Sequence, residues 1–340
     1  LFRINDIKLL KAKRKIIMSD THTSAPPPTL WVVTEGIAGT ENQCLAVANA
    51  MGLMPTVKRI GLKQPWKLLS PYIGFEYEST FTGDALSAPW PDIVFAGGRK
   101  AIAACRYIKK ESKQKTKIIF FQNPRISTRE FDLVIAPAHD NITGTNVIIS
   151  KATPTKFNVN LINDLKSKNP SPFATRGSQN VAFVIGGGIA GRAMPETEQQ
   201  HVLNTCEFLS QQIDKNIFII GSRRTPPSLV QSIRDIAQAH QFQTWFSDDN
   251  APNPYADAIA YADIVLVTAD SPSMISDTAS AGRPTYVVGT GQTKRHAALI
   301  AFLEREGHIR MFDQDLSIYP HKLLDDVGHI ADEIRRKIHI

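Results

Sequence analysis

The segment FVIGGGIAGRAMPETE (183–198) carries Gly186-x-Gly188-x-x-Gly191 directly after an apolar run. This is the letter pattern of a turn that brings backbone amides close to a pyrophosphate. A dinucleotide site needs the following helix to open inside the glycine motif, so that its amino end meets the phosphates. Here Pro195 lies four residues past Gly191. A helix begun at Gly188 would hold Pro195 in its interior, losing a hydrogen bond and clashing at about 3 kcal/mol. Pro195 followed by Glu196 and Glu198 is instead a good helix opening, with acids at the positive end of the dipole. The spacing therefore predicts a helix starting near 195 and an open loop from Gly186 to Ala193.

Two further loops carry compatible chemistry. The strand NIFII ends in Gly221-Ser222-Arg223-Arg224, where a dinucleotide site would want an acid for a ribose. Arg223 and Arg224 suit a phosphate, including a 2′-phosphate, so an NADP-dependent oxidoreductase stays as a weaker reading. After the strand DIVLVT, Asp270-Ser271-x-Ser273 precedes a short helix whose free amides suit a phosphate. Asp277, one turn further, is placed to accept a ribose hydroxyl. Three loops from three strand ends (186–193, 221–225 and 269–274) thus offer amides, hydroxyls and guanidiniums at one edge. That constellation fits a nucleoside diphosphate and contains no hydride-transfer machinery. The bland alternative for the first loop is a glycine-rich turn with no ligand.

The elements that must position these loops alternate along the chain. LWVVT, TVKRIGL, DIVFAGG, KIIFFQ, DLVIAP and VIIS read as strands, with helices over 41–52 and from Arg99 to Lys110. A polar stretch, 161–180, reads as a linker. Beyond it the alternation restarts, with helices over 196–213, 227–240, 255–261, 273–281 and 295–307, and an amphipathic helix over 321–340. Such alternation implies parallel sheets covered on both faces. The expected fold is α/β, two doubly wound Rossmann-like domains, 29–160 and 181–320, facing each other across a cleft that holds the ligand.

The 340 residues suit two domains, and 42% apolar with 21% charged content is ordinary for a globular protein. No apolar run is long enough to span a membrane. Of the net +7, five charges come from residues 1–17, where six Lys and Arg oppose only Asp6, leaving +2 for the rest. A nucleic-acid reader would carry its charge on the folded domains, so nucleic acid is not an expected partner. Residues 1–28 admit three readings: a basic amphipathic helix lying on the inner membrane surface, a targeting peptide, or a disordered lead in which translation starts at Met18 rather than Leu1. Cys44, Cys105 and Cys206 are far apart, without metal spacing. Buried thiols in a reducing compartment, hence a cytoplasmic protein with at most peripheral membrane association, are the expectation.

At these residues the chain resembles the mitochondrial fission (elongated-mitochondria) family of bacterial and plant proteins. The resemblance rests on EGIAGTENQCLAVANAMG, FQNPR, FDLVIAPAHD, the glycine loop, GSRRTP and DSPSMISDTASAGRPTYVVG, and covers roughly residues 30 to 320. It implies the two-domain architecture of GT-B glycosyltransferases, in which the second domain holds the nucleotide of a sugar donor and the first faces the acceptor. Carried over by position, Gly187 and Gly188 line the diphosphate and Ser222 and Arg223 lie beside the nucleotide. Ser271, Ser273 and Met274 supply loop contacts, and Asp277 meets the ribose. Gly36, Gly39, Asn42, Gln43, Gln122 and Asn123 fall on the acceptor side. The plant members are linked to recruiting a dynamin-like protein to mitochondria, an adaptor role.

One position departs from the family. Its first-domain loop often reads glycine–histidine, with histidine as base in related transferases, whereas this chain has Gly39-Thr40-Glu41. Thr40 cannot act as a general base. Glu41 can, or else it is a capping residue of the helix. His139-Asp140 offers another acid–base pair, or a local turn. Gln122, Asn123 and Arg125 at a strand end bind acceptor or form a turn. No Asp-x-Asp suggests a metal, so Arg223, Arg224 and the loop amides would stabilise a departing diphosphate. The leading expectation is a metal-independent glycosyltransferase using a nucleotide-sugar as co-substrate and no other cofactor. The alternative is a non-catalytic adaptor or nucleotide-binding protein on the same fold.

Overall fold

The computed structural model describes residues 26–188, 192–291 and 293–339. Most of the N-terminal extension, together with Gly191, lies outside the described residues.

The first domain is built on a seven-stranded sheet of order β3-β2-β1-β4-β5-β6-β7. Its strands are β1 (Leu30–Thr34), β2 (Thr56–Leu62), β3 (Phe81–Gly83), β4 (Ile93–Gly97), β5 (Lys117–Phe121), β6 (Leu133–Pro137) and β7 (Val147–Ser150). All pair in parallel except β3, which runs antiparallel to β2 at one edge. Helix α1 (Ala38–Ala50) links β1 to β2, a short α2 (Trp66–Leu69) lies between β2 and β3, and α3 (Ala101–Glu111) links β4 to β5. The central strands are apolar without alternation because helices cover both faces. Val32, Phe95 and Phe121 pack under α1, while Val33, Val94 and Phe120 pack under α3.

The second domain repeats the plan with six strands, β8 (Gln179–Ile185), β9 (Lys215–Gly221), β10 (Gln243–Trp245), β11 (Ile264–Thr268), β12 (Thr285–Val288) and β13 (Arg310–Met311). Their order is β10-β9-β8-β11-β12-β13, all parallel. The order reverses between β8 and β11, so a crevice opens at the carboxyl ends of these strands. The intervening helices are α5 (Glu196–Ser210), α6 (Pro227–His240), α7 (Tyr255–Tyr261), α8 (Pro272–Ser280) and α9 (Lys294–Arg305). Pro195 stands at the N-cap of α5 with Glu196 and Glu198 in its first turn, where the sequence places that helix start.

The stretch 161–180, expected as a linker, is not bare coil. It holds most of α4 (Val159–Lys168), whose N-cap Asn158 accepts from the Leu161 amide at 2.8 Å. Phe157 and Ile162 share a core with Ile259, Ala260 and Ala281, which fixes α4 on the second domain. The chain therefore crosses between domains earlier, over 151–157. There the Thr153 amide donates to Ser276 Oγ at 3.1 Å.

The chain then crosses back. Helix α10 (Asp326–Ile338) begins five residues later than the expected 321 and packs on the first domain. Ile330, Ala331 and Ile334 are fully buried with Cys44, Val47 and Ile148. Asp326, at its start, accepts from the amides of Lys151 and Ala152, both at 3.0 Å. At its far end Lys337 donates to the Thr145 carbonyl at 2.9 Å.

Candidate functional site

At the carboxyl edge of the second sheet lies a cavity of about 690 Å³. Three successive strand ends supply its walls. The end of β9 and the loop beyond it supply Gly221, Ser222, Arg223 and Arg224; the end of β10 and its loop, Trp245 and Ser247; the segment after β11, Ser271, Ser273, Met274 and Asp277. Asn253 and Tyr255, at the start of α7, complete it. Ser273 and Met274 form the first turn of α8, which no side chain caps. A helix start of that kind favours negative charge. Arg223 is exposed and makes no hydrogen bond or ion pair among the described residues, so its guanidinium is available to a ligand. Arg224 is committed instead: its Nη1 donates to the Gly188 carbonyl at 2.7 Å.

Gly186, Gly187 and Gly188 are adjacent but engage neighbouring loops instead. Neither Gly187 nor Gly188 lines the cavity. The Gly187 amide, expected at the diphosphate, donates to Asp270 Oδ2 at 2.7 Å. Ser222 Oγ and Thr225 Oγ1 both donate to the Gly186 carbonyl, at 2.8 and 2.6 Å. A Cβ on Gly187 would meet the Arg224 carbonyl at 2.1 Å, and one on Gly186 would meet Asp270 at 2.3 Å. These glycines are needed because two other loops press against them. Asp270 is the clamp beneath that packing. Burial pushes its carboxyl above the ordinary carboxylate range, with the Gly187 amide and Arg224 opposing. Its Oδ1 is buried without a hydrogen-bond partner among the described residues.

Asp277 also differs from expectation. Its Oδ1 accepts from Thr155 Oγ1, on the inter-domain crossing, and its Oδ2 accepts from the Tyr255 hydroxyl at 2.8 Å. Burial raises its pKa to about 6, against the pull of those two bonds. Asp277 still borders the cavity, but its carboxylate ties the crossing to α7 and α8 rather than standing free for a ribose. It also borders a second cavity of about 340 Å³ between the domains, lined by Gly39 and Asn42 of α1, Thr153–Phe157 and Ser273.

In the first domain, Glu41 is not placed as a base. Arg59 donates to it from Nε at 2.9 Å and Nη2 at 2.7 Å. The Arg59 hydrogen bond holds its carboxyl below the ordinary glutamate value. A carboxylate so stabilised is a weak proton acceptor. Gly36 takes a positive φ of 78° and donates its amide to Thr34 Oγ1 at 3.2 Å, which turns the chain into α1. Gln122 Nε2 donates to Gln43 Oε1 at 3.4 Å. Both line a third cavity, of about 190 Å³, together with Pro272, Arg295 and His296 from the second domain. Asn123 Oδ1 accepts from the Arg125 amide at 2.8 Å, a local turn. Ala138–Asp140 form a single helical turn directly after β6. Asp140 of this turn receives Arg295 Nη2 at 2.9 Å, an ion pair that spans the cleft. The side chain of His139 lies outside the described part of the structure.

Trp245, Ser247, Asn253 and Tyr255 are absent from the sequence-derived set. For Trp245 and Ser247 the signal is the end of the strand FQTWF, a fourth strand end at the same edge. Among the described residues no three His, Cys, Asp or Glu side chains gather as a metal site, and no helix is long and apolar enough to cross a membrane. Cys44, Cys105 and Cys206 are buried thiols; burial raises that of Cys206 to about 12.

Comparison with known proteins agrees with this architecture. The UDP-GlcNAc 2-epimerase of Neisseria meningitidis, solved bound to UDP-GlcNAc, superposes with a TM-score of 0.55 at 13% identity, covering 92% of this chain and 99% of that one. The UDP-GlcNAc 2-epimerase of Methanocaldococcus jannaschii gives 0.53 at 12% identity, with the same coverage. The fold is thus GT-B-like. In sequence, mitochondrial fission protein ELM1 of Arabidopsis thaliana is 25% identical over a 282-position alignment that covers 73% of this chain and 64% of the plant protein. The chain therefore spans just under two thirds of that relative's length. Uncharacterized protein RP120 of Rickettsia prowazekii is 24% identical over a 350-position alignment that covers 90% of this chain and 97% of that protein. The family model described as mitochondrial fission ELM1 matches residues 38–338, almost everything the two domains contain, and the chain belongs to that family.

Proposed function

We propose that the second domain binds a nucleotide-sugar and presents the sugar across the cleft to an acceptor on the first domain. The observation that carries this reading is the 690 Å³ cavity, lined both by the start of α8 and by Arg223, which has no partner among the described residues. A diphosphate placed between them meets a helix dipole and a guanidinium, which together stabilise its charge as the sugar departs. Trp245, Tyr255 and Met274 offer the flat apolar surface that a nucleobase needs. The solved UDP-GlcNAc complex of a protein with this fold supports the choice of ligand class. With Glu41 and Asp140 both ion-paired, His139 is the remaining candidate base for the acceptor hydroxyl.

Those two ion pairs also favour a second reading, in which the site binds a nucleotide-sugar without transferring it and the family's adaptor role dominates. Calorimetric titration with UDP, GDP, ADP and their sugars tests binding, and release of free nucleotide from the bound sugar tests transfer. Saturable binding of one nucleoside diphosphate, lost in Arg223→Ala, is expected. No response to any of them overturns the reading. Binding with no turnover, in wild type as in His139→Gln, selects the second.

A further inference from the structure

Among the described residues, five of the twelve large apolar side chains exposed to solvent fall within ten positions: Leu68, Leu69, Tyr72, Phe75 and Tyr77. Leu68, Tyr72 and Phe75 are 72%, 79% and 75% exposed. All five lie on the excursion between β2 and β3. The excursion is tied down along its length. Arg99 Nη1 donates to the Ser70 carbonyl at 2.6 Å and Nη2 to that of Lys67 at 3.2 Å. Arg106 Nη1 donates to the carbonyls of Pro71 and Ile73 at 2.6 and 2.8 Å. Trp66 Nε1 closes the loop on the Phe75 carbonyl at 2.9 Å. A backbone held this firmly while its apolar side chains face water marks an interaction surface.

Beside this surface runs α3. Between Arg99 and Lys117 the chain carries eight Lys and Arg but one acid, Glu111. Lys100, Arg106, Lys109 and Lys117 are matched by Glu35, Glu130 and Asp132. Lys110 is different: it reaches Glu111 only at 3.8 Å and stands 5.5 Å from the Tyr77 ring centre. Lys113 and Lys115 just beyond α3, with Lys63 and Lys67 on the excursion, are exposed and form no ion pair among the described residues. Of the excursion's own acids, Glu76 is buried against Arg106 and Glu78 is exposed at its far end.

We propose that residues 66–77, with Lys110, Lys113 and Lys115, form a surface that docks on an anionic lipid bilayer. Leucine and phenylalanine side chains enter the acyl boundary, the tyrosines lie at headgroup depth with their hydroxyls wet, and the lysines meet lipid phosphates. Charge decides the occupant: the exposed lysines of the excursion, together with Lys110 beside Tyr77 and Lys113 and Lys115 just beyond α3, complement a negative membrane surface. The proposal is independent of the nucleotide site.

The test uses the full chain, sedimented with vesicles of phosphatidylcholine alone or with about one third phosphatidylglycerol. The chain is expected to pellet with the anionic vesicles and to be released by high salt. A combined Leu68→Ser, Tyr72→Ser, Phe75→Ser variant, all at exposed positions, is expected to bind at least about tenfold more weakly. A Lys110→Gln, Lys113→Gln, Lys115→Gln variant is expected to lose its preference for anionic over neutral vesicles. Unchanged circular dichroism shows that both variants fold. Three outcomes overturn the proposal: a wild type that ignores both vesicles, a serine variant that binds like wild type through residues 1–25, and capture of acidic polypeptide but not of vesicles.

Discussion

The Gly187 amide and the Asp270 carboxylate are hydrogen-bonded at 2.7 Å, inside the second domain and out of contact with its cavity. The first glycines of a motif with the lettering of a phosphate cradle thereby form a packed corner. Asp270→Asn keeps an acceptor for the Gly187 amide and removes a carboxylate that burial disfavours. Its melting temperature at neutral pH is expected to match or exceed that of wild type. Asp270→Ala leaves the amide unsatisfied and is expected to cost about 1–3 kcal/mol in denaturant unfolding.

Arg223 and Arg224 are neighbours in sequence with separate tasks. Arg223→Ala is expected to leave the melting temperature unchanged while weakening nucleoside diphosphate binding about tenfold or more, the worth of one charge-assisted hydrogen bond. Arg224→Ala frees the Gly188 carbonyl and is expected to lower stability by about 1–2 kcal/mol. Thermal unfolding and titration calorimetry on both variants separate the two effects, and a swapped pattern refutes the assignment.

Asp277 gives stability a pH dependence of definite sign. Its folded pKa, about 6, lies above the ordinary 3.8, so the folded state holds the proton more tightly. Its contribution is complete below about 3.8 and is lost as pH rises through about 6, to the extent of about 3 kcal/mol at most. Glu41, lowered by Arg59, acts in the opposite sense: its contribution is present above 4.5 and lost as pH falls. Relative to Asp277→Asn, wild type is expected to lose stability between about pH 4 and pH 7. Denaturant midpoints across that range check the sign.

Ile334, at no measurable exposure, joins α10 to the face of the first domain that holds Cys44 and Val47. Ile334→Ala is expected to destabilise the chain by about 2–4 kcal/mol through lost burial and a residual cavity. Hydrogen exchange on this variant should accelerate most in α1 and β7, the elements that α10 covers.

The fold was readable because punctuation and period agreed. Pro195 with Glu196 and Glu198 placed the start of α5, and unbroken apolar runs such as VAFVI announced strands covered on both faces. Polarity misled over 161–180. The pattern there is dominated by exposed Lys and Asn, while Ile162, with Leu161 and Leu165, anchors α4. At the site, residue type identified the cavity-lining loops after β9 and β11. It did not reveal which partner each side chain prefers. Asp277 found Thr155 and Tyr255 from distant segments, and Glu41 found Arg59 eighteen residues away. Such pairings depend on tertiary placement, which spacing along the chain does not encode. The exposed excursion at 66–77 was likewise invisible, because a short apolar run looks the same whether it is buried or bare.

The return of α10 has a consequence for how the protein is made. The groove on the first domain that Ile330, Ala331 and Ile334 fill belongs to strands and a helix that leave the ribosome before the second domain. Its filler is encoded after the whole second domain. During synthesis the groove stays open to water, and to any chaperone that recognises it, until the second domain has emerged. The order of translation thus makes completion of one half wait for the other.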